Sequence, residues 1–137
     1  MVGRGRNGGQ TRANNLPAQA LDIRFACPPT SECEVQRIGI EMAIPEARID
    51  QKLMYHGGRI VGFAIIFSLK SSEGVWEEQY SVDTKHGHLH SHPDGHKTDA
   101  KRDVRQLRSQ LDVQDSYDTA YHMVHNRYLD WASGEKR

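Results

Sequence analysis

Residues 86–96 read "HGHLHSHPDGH" and hold five of the chain's eight histidines. His86, His88, His90 and His92 recur at every second position. Imidazole exchanges a proton near neutral pH and, when neutral, ligates transition metals. Period two is the repeat of a strand, so His88 and His90 would stand roughly 6 to 7 Å apart on one face, at ~3.3 Å of rise per residue. Two such rings can work as acid and base about one scissile bond. They can also chelate one Zn²⁺, with His92 or Asp94 as a third ligand. A third reading is chemically silent: a polar edge strand whose histidines discourage pairing with another chain. Neither cysteine adjoins the segment and no HExxH helix is present. The site is therefore taken as metal-free and cofactor-free, with His88, His90 and His92 as the alternative ligand set.

The flanks favour an anion. Between Lys85 and Arg108 lie six basic residues (85, 97, 101, 102, 105, 108) against three acidic ones (94, 99, 103). Lys85 and Lys97 bracket the histidines. Arg102 and Arg105 would share a face if the segment after Thr98 is helical. The plain alternative is a solvated helix face whose arginines pair with Asp99 and Asp103. His122 and His125 read as polar positions beside a tyrosine stripe, and His56 as part of a turn.

Several strands must position these side chains. "LDIRFAC" alternates Leu21, Ile23 and Phe25 and is a candidate short strand. "EVQRIGIEMAI" places Ile38, Ile40, Met42 and Ile44 on one face, and Pro45 ends it. "ARIDQKLMY" is read as a strand because Gly57 and Gly58 follow it and supply a hairpin turn. "RIVGFAIIFSLK" is apolar on both parities, as in a central strand. "VWEEQYSVD" sets Trp76, Tyr80 and Val82 on one side. A turn at "DTKHG", with Asp83 opening it and Gly87 in the left-handed position, frees the next strand to choose its own register. Leu89 can then face inward and His88, His90 and His92 outward. "PDG" would close that strand. From Thr98, read as an N-cap, helical spacing links Val104, Leu107 and Leu111, then Tyr117, Tyr121, Val124, Tyr128 and Trp131. The expected fold is α+β: an antiparallel meander of about four to six strands against one bent or two consecutive C-terminal helices.

Formal net charge is zero with neutral histidines. No bulk attraction to nucleic acid or membrane follows, so any such surface must be local. Residues 1–20 are rich in Gly, Asn, Gln and Arg, and a disordered basic tail is expected there. Residues 21–137 would form a single domain. No run is long and apolar enough for a signal or a membrane span, so a cytoplasmic protein is expected. Cys27 and Cys33 are read as reduced thiols.

"YSVDTKHGHLHSHPDG" resembles the TumE-like toxins of prokaryotic toxin–antitoxin pairs, over about residues 50–96. The chain differs in having Ser81 and Val82 between Tyr80 and Asp83, and in its long C-terminal segment. The resemblance implies a small α+β toxin, neutralised by a helix-turn-helix antitoxin, and carries over onto Tyr80, Asp83, His88 and His90. Ribonuclease action is an extrapolation from it. In that reading His88 and His90 are base and acid and Asp83 orients one ring. Lys85, Lys97, Arg102 and Arg105 hold the RNA backbone. The competing class is a non-enzymatic binding module that uses the same face for a metal ion or a protein partner.

Overall fold

The structure, a computed structural model, describes residues 23–135. The expected basic tail lies outside them. Six strands follow in chain order: β1 (Glu34–Glu41), β2 (Ala47–His56), β3 (Arg59–Lys70), β4 (Trp76–Asp83), β5 (His88–His96) and β6 (Arg102–Gln106). One helix, α1 (Gln110–Glu135), ends the described chain. The strands form one antiparallel sheet in the order β1-β2-β3-β4-β5-β6. This is the α+β meander expected from the alternating segments and their short turns.

The double-sided apolarity of β3 has its expected consequence. Phe63, Ile65 and Phe67 are buried under α1, and the strand sits inside the sheet. Val113, Ala120, Val124, Tyr128 and Ala132 form the buried stripe of the helix. Phe67 packs edge-on to Tyr128 with ring centroids 6.0 Å apart, and Phe63 edge-on to Tyr117 at 5.6 Å. Gln51, the polar interruption in β2, faces the same layer and accepts a hydrogen bond from the Tyr117 hydroxyl. Its side-chain oxygen is thus satisfied inside the core, which helps the strand tolerate it.

Several expectations fail. Residues 23–27 are not a strand; they form a strap tied to the sheet by Phe25 N–H donating to the Leu107 carbonyl at 2.8 Å. β1 stops at Glu41, before Met42 and Ile44, and Ile38 stays exposed because α1 does not reach this edge. The largest difference lies after Thr98. Residues 102–106 pair with β5 as an edge strand, and the helix starts at Gln110. Unpaired ladder groups along β5 outweigh the modest helical preference of this segment. The true helix start is Ser109: its hydroxyl accepts the Asp112 N–H at 3.2 Å, while the Asp112 carboxylate accepts the Arg108 N–H at 2.9 Å. "SQLD" is therefore a variant of the capping box, whereas Thr98 only accepts the Ala100 N–H.

Leu107 and Leu111 separate the two descriptions of this segment. On one helix they would share a stripe; here Leu107 is 1 % exposed and Leu111 is 57 % exposed. Leu107→Ala should cost about 2–5 kcal/mol, and Leu111→Ala no more than about 0.5 kcal/mol. Urea denaturation midpoints check this, and equal losses would restore the continuous helix.

Candidate functional site

The register of β5 decides what each face of the sheet can do. Val82 pairs with Ser91, and Asp83 with His90. Leu89 is buried in the core beneath α1. The even positions of β5 therefore lie on the face opposite α1, which no helix among the described residues covers. His88, His90 and His92 follow one another there, with ring centroids 5.6 and 6.4 Å apart. The hairpin that creates this register is the expected one at "DTKHG". Asp83 Oδ1 accepts the Lys85 N–H at 3.2 Å, and Gly87 has a φ of 73°.

The strand then runs further than expected. "PDG" does not close it, and β5 continues to His96. Gly95 makes this extension workable. Its φ is 64°, and a Cβ there would fall 2.8 Å from Glu78 Cγ and 2.9 Å from the Glu78 carbonyl oxygen. Only glycine lets β5 approach β4 so closely. His96 is thereby set beside His92, with rings 4.4 Å apart. The even parity of 88, 90, 92 and 96 was the signal for it, masked by a turn-like tripeptide.

Each of the last three histidines of this strand meets a carboxylate. His92 Nε2 is 2.9 Å from Asp83 Oδ2, and Asp83 is buried. His96 Nδ1 lies 2.5 Å from Glu78 Oε2, which also accepts a 3.0 Å hydrogen bond from the Ser81 hydroxyl. His90 Nδ1 is 2.7 Å from Asp103 Oδ1, but off the line a ring N–H would need, so the contact is not a hydrogen bond. His90 is 5 % exposed, and neither of its ring nitrogens has a hydrogen-bond partner among the described residues.

One donor atom from each of Asp83, His92 and His96 lies within 4.8 Å of the others. This triad differs from the alternative ligand set of His88, His90 and His92. Because Glu78 holds His96 through Nδ1, Nε2 is the nitrogen left to ligate. Carboxylate, histidine and metal commonly stack in that order.

Other candidate residues are distributed differently. Asp83 orients His92, whereas Asp103 stands at His90. Tyr80 lies on the helix face, under the Arg127 guanidinium at 4.9 Å, and cannot join the histidines. Arg102 and Arg105 also lie on that face. They pair with Ser91 and Leu89, because the register shift between Leu89 and His90 leaves Val104 as the extra residue of β6. Arg105 bonds to Ser116 at 3.0 Å and to Asp112 at 2.9 Å, fastening β6 to the first turns of α1. Lys97 donates to Gln79, and Lys85 is exposed in the turn. The cationic wall expected beside the imidazoles is thus split, with both arginines behind the sheet.

No family model, curated protein or solved structure matches the chain. No helix among the described residues is long and apolar enough to cross a membrane.

Two phenols behind the site titrate abnormally. Burial pushes Tyr80 up; a hydrogen bond with Ser91 and the charges of Arg127 and Arg102 oppose this only in part. Burial, then the neighbouring Tyr121, raises Tyr117 against its bond to Gln51. Both hold their protons more tightly folded than unfolded. Their contribution to stability is complete below the unfolded value of ~10 and is lost as pH climbs through the raised values. Denaturation midpoints should therefore fall from about pH 9 to about pH 11. Tyr80→Phe with Tyr117→Phe should flatten that fall. A double variant as alkali-sensitive as the parent would show that other groups carry it.

Proposed function

We propose that this chain is a metal-binding module whose sheet face opposite α1 takes one divalent transition-metal ion. Asp83, His92 and His96 are the ligands and Glu78 is the outer carboxylate that aims His96. The observation that carries this reading is the convergence of two imidazoles and a buried carboxylate within 4.8 Å. Two nitrogens and one oxygen suit Zn²⁺, or Fe²⁺ in a two-histidine, one-carboxylate site. Binding would replace the His92–Asp83 contact by bonds to the ion. Any proton held between them would be released, so the ion competes with protons for these ligands. A three-ligand set also leaves a coordination position open to water or an incoming group.

Calorimetric titration of tag-free protein with ZnCl₂ tests this. One equivalent should bind, and His92→Ala, His96→Ala or Asp83→Asn should each weaken binding at least about tenfold. Glu78→Gln should cost about 10- to 100-fold, and His88→Ala little. Absence of binding, or binding that survives His96→Ala and fails with His88→Ala, would overturn the assignment.

A second reading is a toxin-like protein acting on RNA through His88 and His90, with a helix-turn-helix antitoxin as partner. Its support is the placement of those two rings on one face, 5.6 Å apart, with Asp103 at His90. It ranks lower because His90 is buried away from a phosphodiester, and Arg102 and Arg105 stand on the other side of the sheet. In this reading expression of the chain slows bacterial growth, and His90→Ala relieves the effect at matched expression. Equal toxicity of parent and variant would dismiss it.

A further inference from the structure

A separate cavity of about 470 Å³ opens on the same face, beyond Asp83. Its roof is the strap from Phe25 to Thr30, and its floor is formed by β2 and β3, with Met54, Gly62 and Ala64. The turn after β4 closes one end. The strap is held in place. Besides the Phe25–Leu107 bond, Gln106 Nε2 donates to the Ile23 carbonyl at 2.6 Å. Gly87 admits Arg24 so closely that a Cβ at 87 would lie 2.7 Å from Arg24 Cβ. Gly62 keeps the floor open; a Cβ there would come within 3.3 Å of Thr84 Oγ1 and 3.6 Å of Cys27 Sγ.

The walls are mostly apolar, but the charges are not balanced. Lys52 lines the cavity, is half-buried, and has no hydrogen bond or ion pair among the described residues. Its cross-strand partner on β1 is another cation, Arg37. Like charges directly opposite each other are destabilising in a sheet unless an anion lies between or near them. Two carboxylates on this face are engaged. Asp50 is 2.7 Å from Arg48, and Asp83 receives the Lys85 amide and faces His92. Lys85 adds a second cation at the rim.

We propose that this cavity binds a small amphipathic monoanion, its acidic head on Lys52 and its apolar body against Met54 and Ala64 beneath the strap. The volume falls within the range of ordinary small-molecule sites, which combine apolar walls with a few placed polar groups. Asp83 is the single carboxylate in the lining, so dianions should bind less well than monoanions. The inference does not rest on metal at the neighbouring triad.

The probe is 8-anilinonaphthalene-1-sulfonate, an aromatic body with one sulfonate, followed by fluorescence on the intact chain. One saturable site is expected, with decanoate displacing the dye at least about tenfold more effectively than decanol, since a charge-assisted hydrogen bond is worth about that factor or more. Lys52→Met should weaken dye binding about tenfold or more, while Lys52→Arg retains it. Unfolding must stay cooperative, so that the dye reports the cavity and not a loosened core. Should Lys52→Met fail to fold, the decanoate–decanol comparison on the parent decides alone. Equal displacement by acid and alcohol, unchanged binding in Lys52→Met, or no saturable site would overturn the proposal.

Discussion

Leu89 fixes the chemistry of this protein. Its side chain is the only apolar one in β5 with a core to enter. Placing it beneath α1 sends His88, His90 and His92 to the face away from the helix together. A one-residue slip would put the imidazoles into the core, where unpaired polar rings cost several kcal/mol. The "DTKHG" turn makes this choice free, because it breaks the parity of β4 before β5 begins. The histidine row is therefore a by-product of hydrophobic burial and turn geometry, and its spacing needs no contact among the rings themselves.

His90 carries the cost of that arrangement. Both neighbours in the row meet water or a well-aligned carboxylate more easily than it does. A buried polar group left without a hydrogen bond costs about 1–3 kcal/mol. His90 cannot rotate to the helix side, since Leu89 and Ser91 hold the strand. Its pairing with Asp83 on one side and Asp103 on the other gives it two carboxylate-bearing neighbours across the strands, with Asp103 the one in side-chain contact. These anions make the face attractive to cations and unattractive to a phosphate, which is why the metal reading fits this end and the monoanion site falls beyond it, around Lys52.

Much of this was legible in the sequence. Alternation identified β1, β4 and β5, two-sided apolarity identified β3, the Gly57–Gly58 turn identified β2 and fixed the β2–β3 hairpin, and the tyrosine-bearing stripe identified α1. The inward position of Leu89 followed from the turn. The edges were not legible. "KRDVRQL" has helical spacing and good helix formers, and only the need of β5 for a partner makes it a strand. His96 was hidden because "PDG" is turn-like in isolation. It becomes extended here because Gly95 can pass beside Glu78, a contact between residues far apart in sequence.

The remaining errors share one cause. Strict alternation predicts sidedness only while a strand is regular, and one extra residue reverses it. The shift opposite Phe67 and Ser68 leaves Gln79 unpaired. Trp76 is thereby moved away from Tyr80 and Val82 onto the open face, where the Arg48 guanidinium lies 4.2 Å from its ring centroid. The same shift puts Glu78 in line with Ser81 and Asp83, so the carboxylate that holds His96 depends on it. The shift at Val104 works in the other direction. It takes both arginines of β6 to the helix side and leaves Asp103 facing His90. Two single-residue bulges thus decide that the histidines are surrounded by carboxylates and not by guanidinium groups. A face with that composition supports the proposed metal ion over a nucleic acid, although composition and spacing alone point toward an anion.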